Sequence, residues 1–366
     1  MNEFKGLSPK IFKKFDVLER VGHGSFGEVY KVTHHRTNQT FAIKKEATGI
    51  SQPQLENETK IIKAIERYAC FPKIYLTFND IDGQYIVMDY FPNSLENLFQ
   101  ICDCHFSLKT TLMIADQMIS ALQILHLRSF IHRDLKPENM MIGNSRSPHT
   151  LALIDFGLSS SYCDIITKIH IPLREGKSLV GTTRYASINV HNGIEYSRRD
   201  DMESLAYILI YFMKGSLPWQ NVLLINGQSL STAVSEIKQS TSIEELCYDL
   251  PEEFGIFLQE VRALQFEEEP NYVKYREMFR NLFIKSGFVY DYKFDWEGHE
   301  NDKAPEKEVH MLPLKNHFRP GKSSNSALSN SYWDLNRNGG KKKHHHNPFR
   351  PQTLLQMSAL NLLTLK

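Results

Sequence analysis

The stretch His132-Arg133-Asp134-Leu135-Lys136-Pro137-Glu138-Asn139, followed by Asp155-Phe156-Gly157, decides how this chain is interpreted. It spaces two acids and an amide as phosphoryl transfer from ATP requires. Asp134 is placed to accept the proton of an incoming hydroxyl. Asn139 and Asp155 offer hard oxygen ligands, which suit Mg²⁺. Chance matches to a pattern this long are rare, so we expect a phosphotransfer site.

A glycine pattern near the N-terminus predicts the nucleotide loop. Gly22-x-Gly24-x-x-Gly27 alone is a weak signal, because hairpin turns and dinucleotide-binding folds share it. Here it joins two predicted strands, residues 15–21 and 28–33, rather than a strand and a helix. Small residues let the backbone approach the phosphates, and Phe26 is placed to cover them against water. The nucleotide contacts predicted on and beside this loop are Val21, Gly22, Gly24, Ser25, Phe26, Gly27 and Val29.

A lysine on the next predicted strand needs an anion. Lys44 ends the run Ala42-Ile43-Lys44, and an unpaired buried ammonium group is costly. ATP phosphates together with a helix carboxylate would supply the negative charge. We favour Glu58 over Glu56, because the apolar residues that follow Glu58 on a predicted helix at 55–68 would face the core. The alternative is a surface lysine with an unrelated glutamate nearby.

Composition excludes several classes of protein. The chain has 366 residues and a net charge of +1, so no global field favours nucleic acid. The longest apolar run, Leu205 to Met213, is far short of the ~20 residues of a membrane span. No signal peptide or lipidation motif is expected at either end. The five cysteines lack paired metal-ligand spacing, which favours reduced thiols in the cytoplasm or nucleus over a zinc site.

These patterns are together those of a protein kinase, and further ones resemble the casein kinase I family. Residues 187–189 read Ser-Ile-Asn where most kinases carry Ala-Pro-Glu. Residues 197–201 read Ser-Arg-Arg-Asp-Asp, residues 215–220 read Gly-Ser-Leu-Pro-Trp-Gln, and a Phe-Asp-Trp sequence ends at Trp296. Lys136, two residues past the predicted proton acceptor, is typical of serine/threonine kinases and would neutralise charge on the transferred phosphoryl group.

The resemblance implies an α+β, bilobal protein kinase fold over residues 15–296, with a small β-rich N-lobe at about 15–88 and a larger helical C-lobe at about 92–296. It implies ATP with Mg²⁺ and transfer to serine or threonine without an activating upstream kinase. Asp201 should hold the catalytic loop from a buried helix. By the same resemblance the adenine site comprises Ala42, the gatekeeper Met88, the hinge residues Asp89 and Phe91, and Met141 beneath the base.

The resemblance also implies which substrates are read. Its members phosphorylate proteins with an acidic or phosphorylated residue before the target, and we expect the same partners for a monomeric enzyme. The residues that would bind this anion are Arg133, Lys177, Arg184 and Gln220. One departure matters: the Lys-rich stretch of the family corresponds here to residues 221–235, which contain no Lys or Arg. We therefore expect a weaker preference for primed substrates, or a preference for an apolar residue near the target.

Three other interpretations stay open. The tau-tubulin or vaccinia-related kinases form a neighbouring branch of the same superfamily. A pseudokinase would keep the fold without turnover, and a scaffold would act through the tail, residues 297–366. That tail is predicted to be disordered and polar to basic. Within it, residues 341–346 could contact anions or a metal, and residues 354–365 could form a short docking helix.

Overall fold

The computed structural model describes residues 4, 6–24, 27–51, 53–144, 147–222 and 227–297. Within them the chain forms a β-sheet lobe followed by a helical lobe, so the expected bilobal α+β architecture is confirmed. The predicted tail lies outside the described residues from position 298 onward. None of the helices in the described ranges combines the length and apolar character that a bilayer crossing requires.

The N-lobe is built on one antiparallel sheet in the order β1-β2-β3-β5-β4. Its strands are β1 Phe15–Gly24, β2 Gly27–His34, β3 Thr40–Ala47, β4 Ile74–Asp80 and β5 Gly83–Asp89, and its helices are α1 Pro9–Phe12 and α2 Leu55–Ile65. Strand β1 pairs with β2, and β2 pairs with β3, so consecutive strands form antiparallel hairpins. Alternating apolar residues separated by short polar turns predict such hairpins. Leu7 and Ile11, which precede the predicted domain start, are buried in the same cluster as Phe15 and Val32.

Two predicted boundaries in this lobe differ from the structure. Residues 22–24 were expected in a loop, but β1 continues through them, and Gly24 pairs with Gly27. The helix predicted to reach residue 68 ends at Ile65, because residues 66–71 turn back to feed β4. The first difference arises from backbone pairing across the sheet and the second from the turns at residues 66–71, and the local sequence pattern encodes neither.

The C-lobe is mostly helical. Its helices are α3 Leu95–Ile101, α4 Leu108–Leu127, α5 Ile188–His191, α6 Arg198–Lys214, α7 Leu230–Ser240, α8 Ile243–Leu246, α9 Glu252–Ala263 and α10 Tyr272–Lys285. Short strands lie beside the catalytic loop: β6 Asn93–Ser94, β7 Phe130–Ile131, β8 Met140–Asn144, β9 Ser147–Leu153 and β10 Ser160–Ser161.

Helix α6 is the centre of this lobe. Its side chains from Arg199 to Phe212 are buried, which confirms the prediction of a helix enclosed on nearly every side. Asp200 stabilises its start, because its Oδ2 accepts a hydrogen bond from the backbone N–H of the N-cap Ser197 at 2.7 Å. The helix ends at Gly215, whose φ of 82° suits glycine. Helices α4 and α9 pack against it.

The segment after α10 is tied back to the start of α4. Asp295 accepts hydrogen bonds from the N–H of Ser107 at 2.6 Å and from its hydroxyl at 2.7 Å. Ser107 is in turn the N-cap of α4, with its Oγ accepting from Thr110 N. Trp296 packs on Phe106 with 5.3 Å between ring centroids. The end of the domain therefore stabilises the helix that carries the catalytic loop.

We predict that Asp295→Ala lowers the free energy of unfolding by about 1–3 kcal/mol, because a partly buried amide and hydroxyl lose their acceptor. Urea denaturation followed by circular dichroism would measure the change. Asp291→Ala is the matched control, since it removes an ion pair between Asp291 and Lys109 whose side chains are 33% and 25% exposed. Equal effects of the two substitutions would contradict this account.

Candidate active site

A buried ion cluster joins the two lobes. Lys44 on β3 places its ammonium 2.7 Å from Glu58 Oε2 on α2 and 2.9 Å from Asp155 Oδ1. Lys44 and Glu58 are only 7% and 1% exposed. Burial alone would lower the pKa of Lys44, but the two carboxylates raise it above its ordinary value. The choice of Glu58 over Glu56 as the partner agrees with this geometry.

The two carboxylates of this cluster respond differently to Lys44. Burial raises the pKa of Glu58, an effect that Lys44 opposes without cancelling. For Asp155 burial acts in the same direction, but Lys44 outweighs it and brings the pKa to about 2. Asp155 is thus a carboxylate throughout the neutral range, and its backbone has a positive φ of 63°. A cation at this position would meet a fixed negative charge.

Helix α2 is held in place from strand β3 by a residue that sequence reasoning missed. Glu46 is buried, and its Oε1 accepts hydrogen bonds from Gln54 N at 2.7 Å and Leu55 N at 3.1 Å. The N-cap residue Gln54 makes no side-chain cap of its own. Glu46 therefore caps the helix two residues beyond Lys44, and the same strand positions both partners of the ion pair. No local pattern signals such a remote cap.

Asp134 is held by three neighbours. Its Oδ2 accepts from Lys136 Nζ at 2.9 Å, and its Oδ1 accepts from Thr182 Oγ1 at 2.7 Å. Its backbone carbonyl accepts from Asn139 Nδ2 at 2.9 Å. Sequence reasoning did not single out Thr182, although it follows Gly181, where a side chain would overlap the carbonyl of Arg133. Asp134 is 6% exposed, so one well-oriented carboxylate meets the cleft.

The catalytic loop, residues 132–139, is anchored to α6 by Asp201. Asp201 Oδ2 accepts from His132 N at 2.7 Å, and Asp201 Oδ1 accepts from Arg133 N at 3.0 Å. Arg133 has a φ of 70°, a conformation that needs such support. His126 Nε2 lies 2.9 Å from the same carboxylate. Burial acts to raise the pKa of Asp201, but hydrogen bonds from His126 and His132 lower it overall.

Asn139 and Asp155 fit a divalent cation. The Asn139 amide nitrogen is committed to the Asp134 carbonyl, which leaves its oxygen as the atom for a positive ion. The Asn139 carbonyl accepts from Ile154 N at 3.0 Å, so the residue before Asp155 is fastened to Asn139. An amide oxygen beside an ionised carboxylate is the donor set that Mg²⁺ prefers. Among the described residues no cluster of three or more His, Cys, Asp or Glu forms a further metal site.

The residues predicted to contact the nucleotide lie on strands of the N-lobe sheet, in the hinge and on β8. Strand pairing sets Gly22 opposite Val29 and Ala42 opposite Met88. At Gly27, with a φ of 124°, a side chain would overlap the carbonyl of Lys45. The described members of the set lie on β1, β2, β3, β5, β8 and the hinge: Val21, Gly22, Gly24, Gly27, Val29, Ala42, Met88, Asp89, Phe91 and Met141. Ser25 and Phe26 lie outside the described residues.

The side chain of Asp89 is hydrogen-bonded within the protein. Its carboxylate accepts from Lys73 N at 2.9 Å and from Tyr75 Oη at 2.8 Å. Asp89 therefore fastens the hinge to the start of β4. These two hydrogen bonds explain how an acidic side chain is accommodated at this position of the hinge.

The four residues predicted to bind a substrate anion do not converge on one group. Arg133 donates to Ser160 Oγ at 3.0 Å, and its Nε has no hydrogen-bond partner within the described chain. Arg184 stacks on Tyr185, 5.7 Å from the ring centroid. Lys177 instead pairs with Glu195 at 2.8 Å. Gln220 uses its Oε1 within its own turn, accepting from the N–H of residue 217.

The sheet lobe, the helical lobe and the ion cluster between them define a phosphotransferase domain. A sequence model of the protein kinase domain matches residues 15–281 of the chain. The protein belongs to the protein kinase family. Proteins of this family use ATP with a divalent cation and act on protein substrates.

We predict that Glu46→Ala lowers kcat/KM by roughly 5- to 30-fold, the factor that corresponds to a cap worth about 1–2 kcal/mol. Without the cap, α2 no longer holds Glu58 against Lys44. Peptide phosphorylation at varied ATP would measure the loss. Glu46→Gln keeps an acceptor oxygen and should retain most activity. Glu56→Ala, which removes an exposed pair with Lys60, is the control, and a loss as large as that of Glu46→Ala would refute the role of the cap.

Proposed function

We propose that this protein is an active serine/threonine kinase of the casein kinase I type, transferring the γ-phosphoryl group of Mg-ATP to protein substrates. The observation that carries the proposal is the arrangement around Asp134. Lys136 donates to one oxygen of this carboxylate and Thr182 to the other. A pseudokinase has no need of a proton acceptor held in this way, with a lysine ammonium group 2.9 Å from its carboxylate.

Each residue has a proposed role. Asp134 orients the substrate hydroxyl and accepts its proton as the oxygen attacks phosphorus. Lys136, whose pKa burial would lower but Asp134 raises above its ordinary value, stays charged and offsets charge on the phosphoryl oxygens. Lys44 places the α- and β-phosphates, with Glu58 fixing its direction. A divalent cation held by Asn139 and Asp155 would neutralise phosphate charge.

Serine/threonine specificity and the casein kinase I type rest on two features. Lys136 follows the proton acceptor by two residues, as in serine/threonine kinases. The Ser-Ile-Asn sequence at 187–189 has its own supports: Ser187 Oγ donates to Asp200 Oδ1 at 2.5 Å, and Ile188 N donates to Glu203 Oε1 at 3.1 Å. Asp200, within the downstream Ser-Arg-Arg-Asp-Asp sequence, and Glu203, just beyond it, thus both support the Ser-Ile-Asn segment. We take the presence of both sequences in one chain as support for the casein kinase I branch.

The proposed domain spans residues 15–296. Its end at Trp296 is supported by the hydrogen bonds of Asp295 to Ser107 and by the burial of Trp296 in the C-lobe core. We further propose a monomeric enzyme of the cytoplasm or nucleus.

The function is tested by Asp134→Asn. This substitution should reduce casein phosphorylation by about 10²–10⁴-fold, because the amide cannot accept the proton. ATP affinity should stay near the native value, since Lys44, the glycine loop and the hinge are untouched. Asp103→Asn, at an exposed acid, is the control. Wild-type protein that binds ATP but transfers no phosphate would establish a pseudokinase. Near-native turnover of Asp134→Asn would refute the assigned role.

Substrate preference follows from the charge near Arg184. This residue is partly buried, and Glu138, Tyr185 and Tyr211 raise its pKa although burial acts to lower it. Leu230, at the start of α7, is 52% exposed. It lies within residues 221–235, which correspond to the Lys-rich stretch of the resembled family. We therefore propose that Arg184 reads an anion before the target serine, with a weaker preference than in members that have the lysine.

Leu230→Lys should raise the preference for a primed peptide about 10-fold, since one added charge-assisted hydrogen bond contributes ~1.5–3 kcal/mol when well ordered. The measurement is kcat/KM for matched peptides with phosphoserine, Asp or Ala three residues before the target. Leu127→Lys, at a similarly exposed leucine on α4, controls for added charge. If Leu230→Lys does not raise kcat/KM selectively for the phosphoserine peptide, the missing lysine does not explain the weaker preference. Equal wild-type values of kcat/KM on all three peptides would refute the anion site itself.

A further inference from the structure

A lysine on α7 is buried without a carboxylate partner among the residues that the structure describes. Lys238 is 0% exposed. Its Nζ donates to the carbonyl of Ala186 at 2.6 Å and to those of Thr183 and Arg184 at 3.3 Å each. Its fourth contact is His191 Nε2 at 3.1 Å. Within the described chain this ammonium is thus surrounded by backbone carbonyls and one imidazole, much as a bound monovalent cation would be.

Two aromatic rings complete the surroundings of Lys238. The ammonium lies 4.8 Å from the ring centroid of Tyr207 on α6 and 5.0 Å from that of Trp219. Both distances are within the range of cation–π attraction. Trp219 also donates its indole N–H to the Arg184 carbonyl at 2.8 Å. Ring and ammonium therefore hold the same short segment of backbone, residues 183–186.

That segment leads directly to Asp134. Thr182 precedes it and donates its hydroxyl to Asp134 Oδ1 at 2.7 Å. Ser187 follows it and is fixed by Asp200 at 2.5 Å. Between these two ends, Lys238 binds the backbone carbonyls of the segment. A shift of the segment would carry Thr182 off the carboxylate, and a displacement of about 1 Å in a catalytic group can cost 10²-fold in rate.

We propose that Lys238 is a positioning residue for phosphoryl transfer, whose buried ammonium group binds the carbonyls of residues 183–186 and so keeps Thr182 on Asp134. This inference rests on the proposed role of Asp134 as proton acceptor. Packing alone does not account for the residue. Burying an unpaired charge is costly, and replacing buried ions with apolar side chains of similar volume is often neutral or stabilising.

The charged groups that face Lys238 set how it titrates. Burial lowers its pKa to about 7, Glu203 on α6 acts to raise it, and Arg262 on α9 lowers it further. His191, at the end of α5, has its own pKa lowered to about 4 by burial and by Lys238, so its ring is neutral. Its Nε2 lies within hydrogen-bonding distance of both Lys238 Nζ, at 3.1 Å, and the Thr183 carbonyl, at 3.3 Å. Lys238 consequently changes charge near neutral pH, while an unfolded lysine remains protonated up to about pH 10.4.

This titration gives stability and activity opposite responses to pH. Above pH 7 the folded protein binds fewer protons at Lys238 than the unfolded chain does, so the free energy of unfolding rises with pH. Over the same interval the carbonyls lose the cation that orders them, so activity falls. A residue that only fills space would move neither quantity in this way.

The test compares Lys238→Met and Lys238→Gln with wild type in the full chain. Lys214→Met is the matched control, because Lys214 also donates to a backbone carbonyl, that of Leu246, away from residues 183–186. The readouts are kcat and the KM for ATP on a casein peptide, urea unfolding at pH 6 and pH 9, and amide hydrogen exchange of residues 182–187.

Lys238→Met should lower kcat by about 10- to 100-fold with the KM for ATP within about twofold, as expected for a displaced catalytic group. Its stability at pH 6 should equal or exceed that of wild type, and its amides at 182–187 should exchange faster. The kcat advantage of wild type should shrink above pH 7 while its relative stability grows. Lys238→Gln keeps a neutral hydrogen-bond donor, so its kcat and its amide exchange rates should lie between those of wild type and Lys238→Met. If the Met variant does not fold, the Gln variant is judged by the same criteria.

A native kcat in the Met or Gln variant would overturn the positioning role. So would losses of activity and stability that change in the same direction as the pH is varied. Wild-type protein that transfers no phosphate would refute the proposed function instead. The exchange rates at 182–187 would still decide whether Lys238 orders that segment, since they need no turnover.

Discussion

The rest of the structure depends on an ammonium group buried between two carboxylates. Lys44 belongs to the N-lobe sheet, Glu58 to α2, and Asp155 to the segment that enters the cleft from the C-lobe. Each group alone would be unstable at this depth, and removing one partner of a buried pair typically costs 3–5 kcal/mol. The three elements therefore fix one another, with Glu46 tying α2 to the strand that carries Lys44.

A second group of carboxylates, on α6, positions the irregular segments around Asp134. Three carboxylates in the first turns of α6 each hold a different piece of irregular chain. Asp200 holds Ser187, Asp201 holds the backbone of residues 132–133, and Glu203 holds residue 188. The N-terminus of a helix is a favourable place for negative charge, and every one of these carboxylates accepts hydrogen bonds. The buried helix thus acts as the platform on which both catalytic segments are set.

The sequence predicted those parts of the site that lie in short, dense motifs. Asp134, Lys136, Asn139 and Asp155 come from two such motifs, and the pairing of Lys44 with Glu58 followed from the cost of an unpaired buried charge. Glu46, Thr182 and Lys238 escaped notice because each acts on a partner at a distance along the chain that only the folded backbone brings close. The partners of Lys177 and Gln220 were missed for the same reason: a basic or amide side chain on a loop has many possible acceptors.

The central claim is that the ion cluster and the fixed carboxylate together perform transfer to serine or threonine. It is tested most directly by incubating the purified protein with Mg²⁺ and ATP labelled at the γ-position, followed by phosphoamino acid analysis of a casein substrate. The account predicts labelled phosphoserine or phosphothreonine from wild type, and none above background from Asp155→Asn, in which Lys44 loses one carboxylate. Labelled phosphotyrosine, or equal labelling by Asp155→Asn, would contradict it.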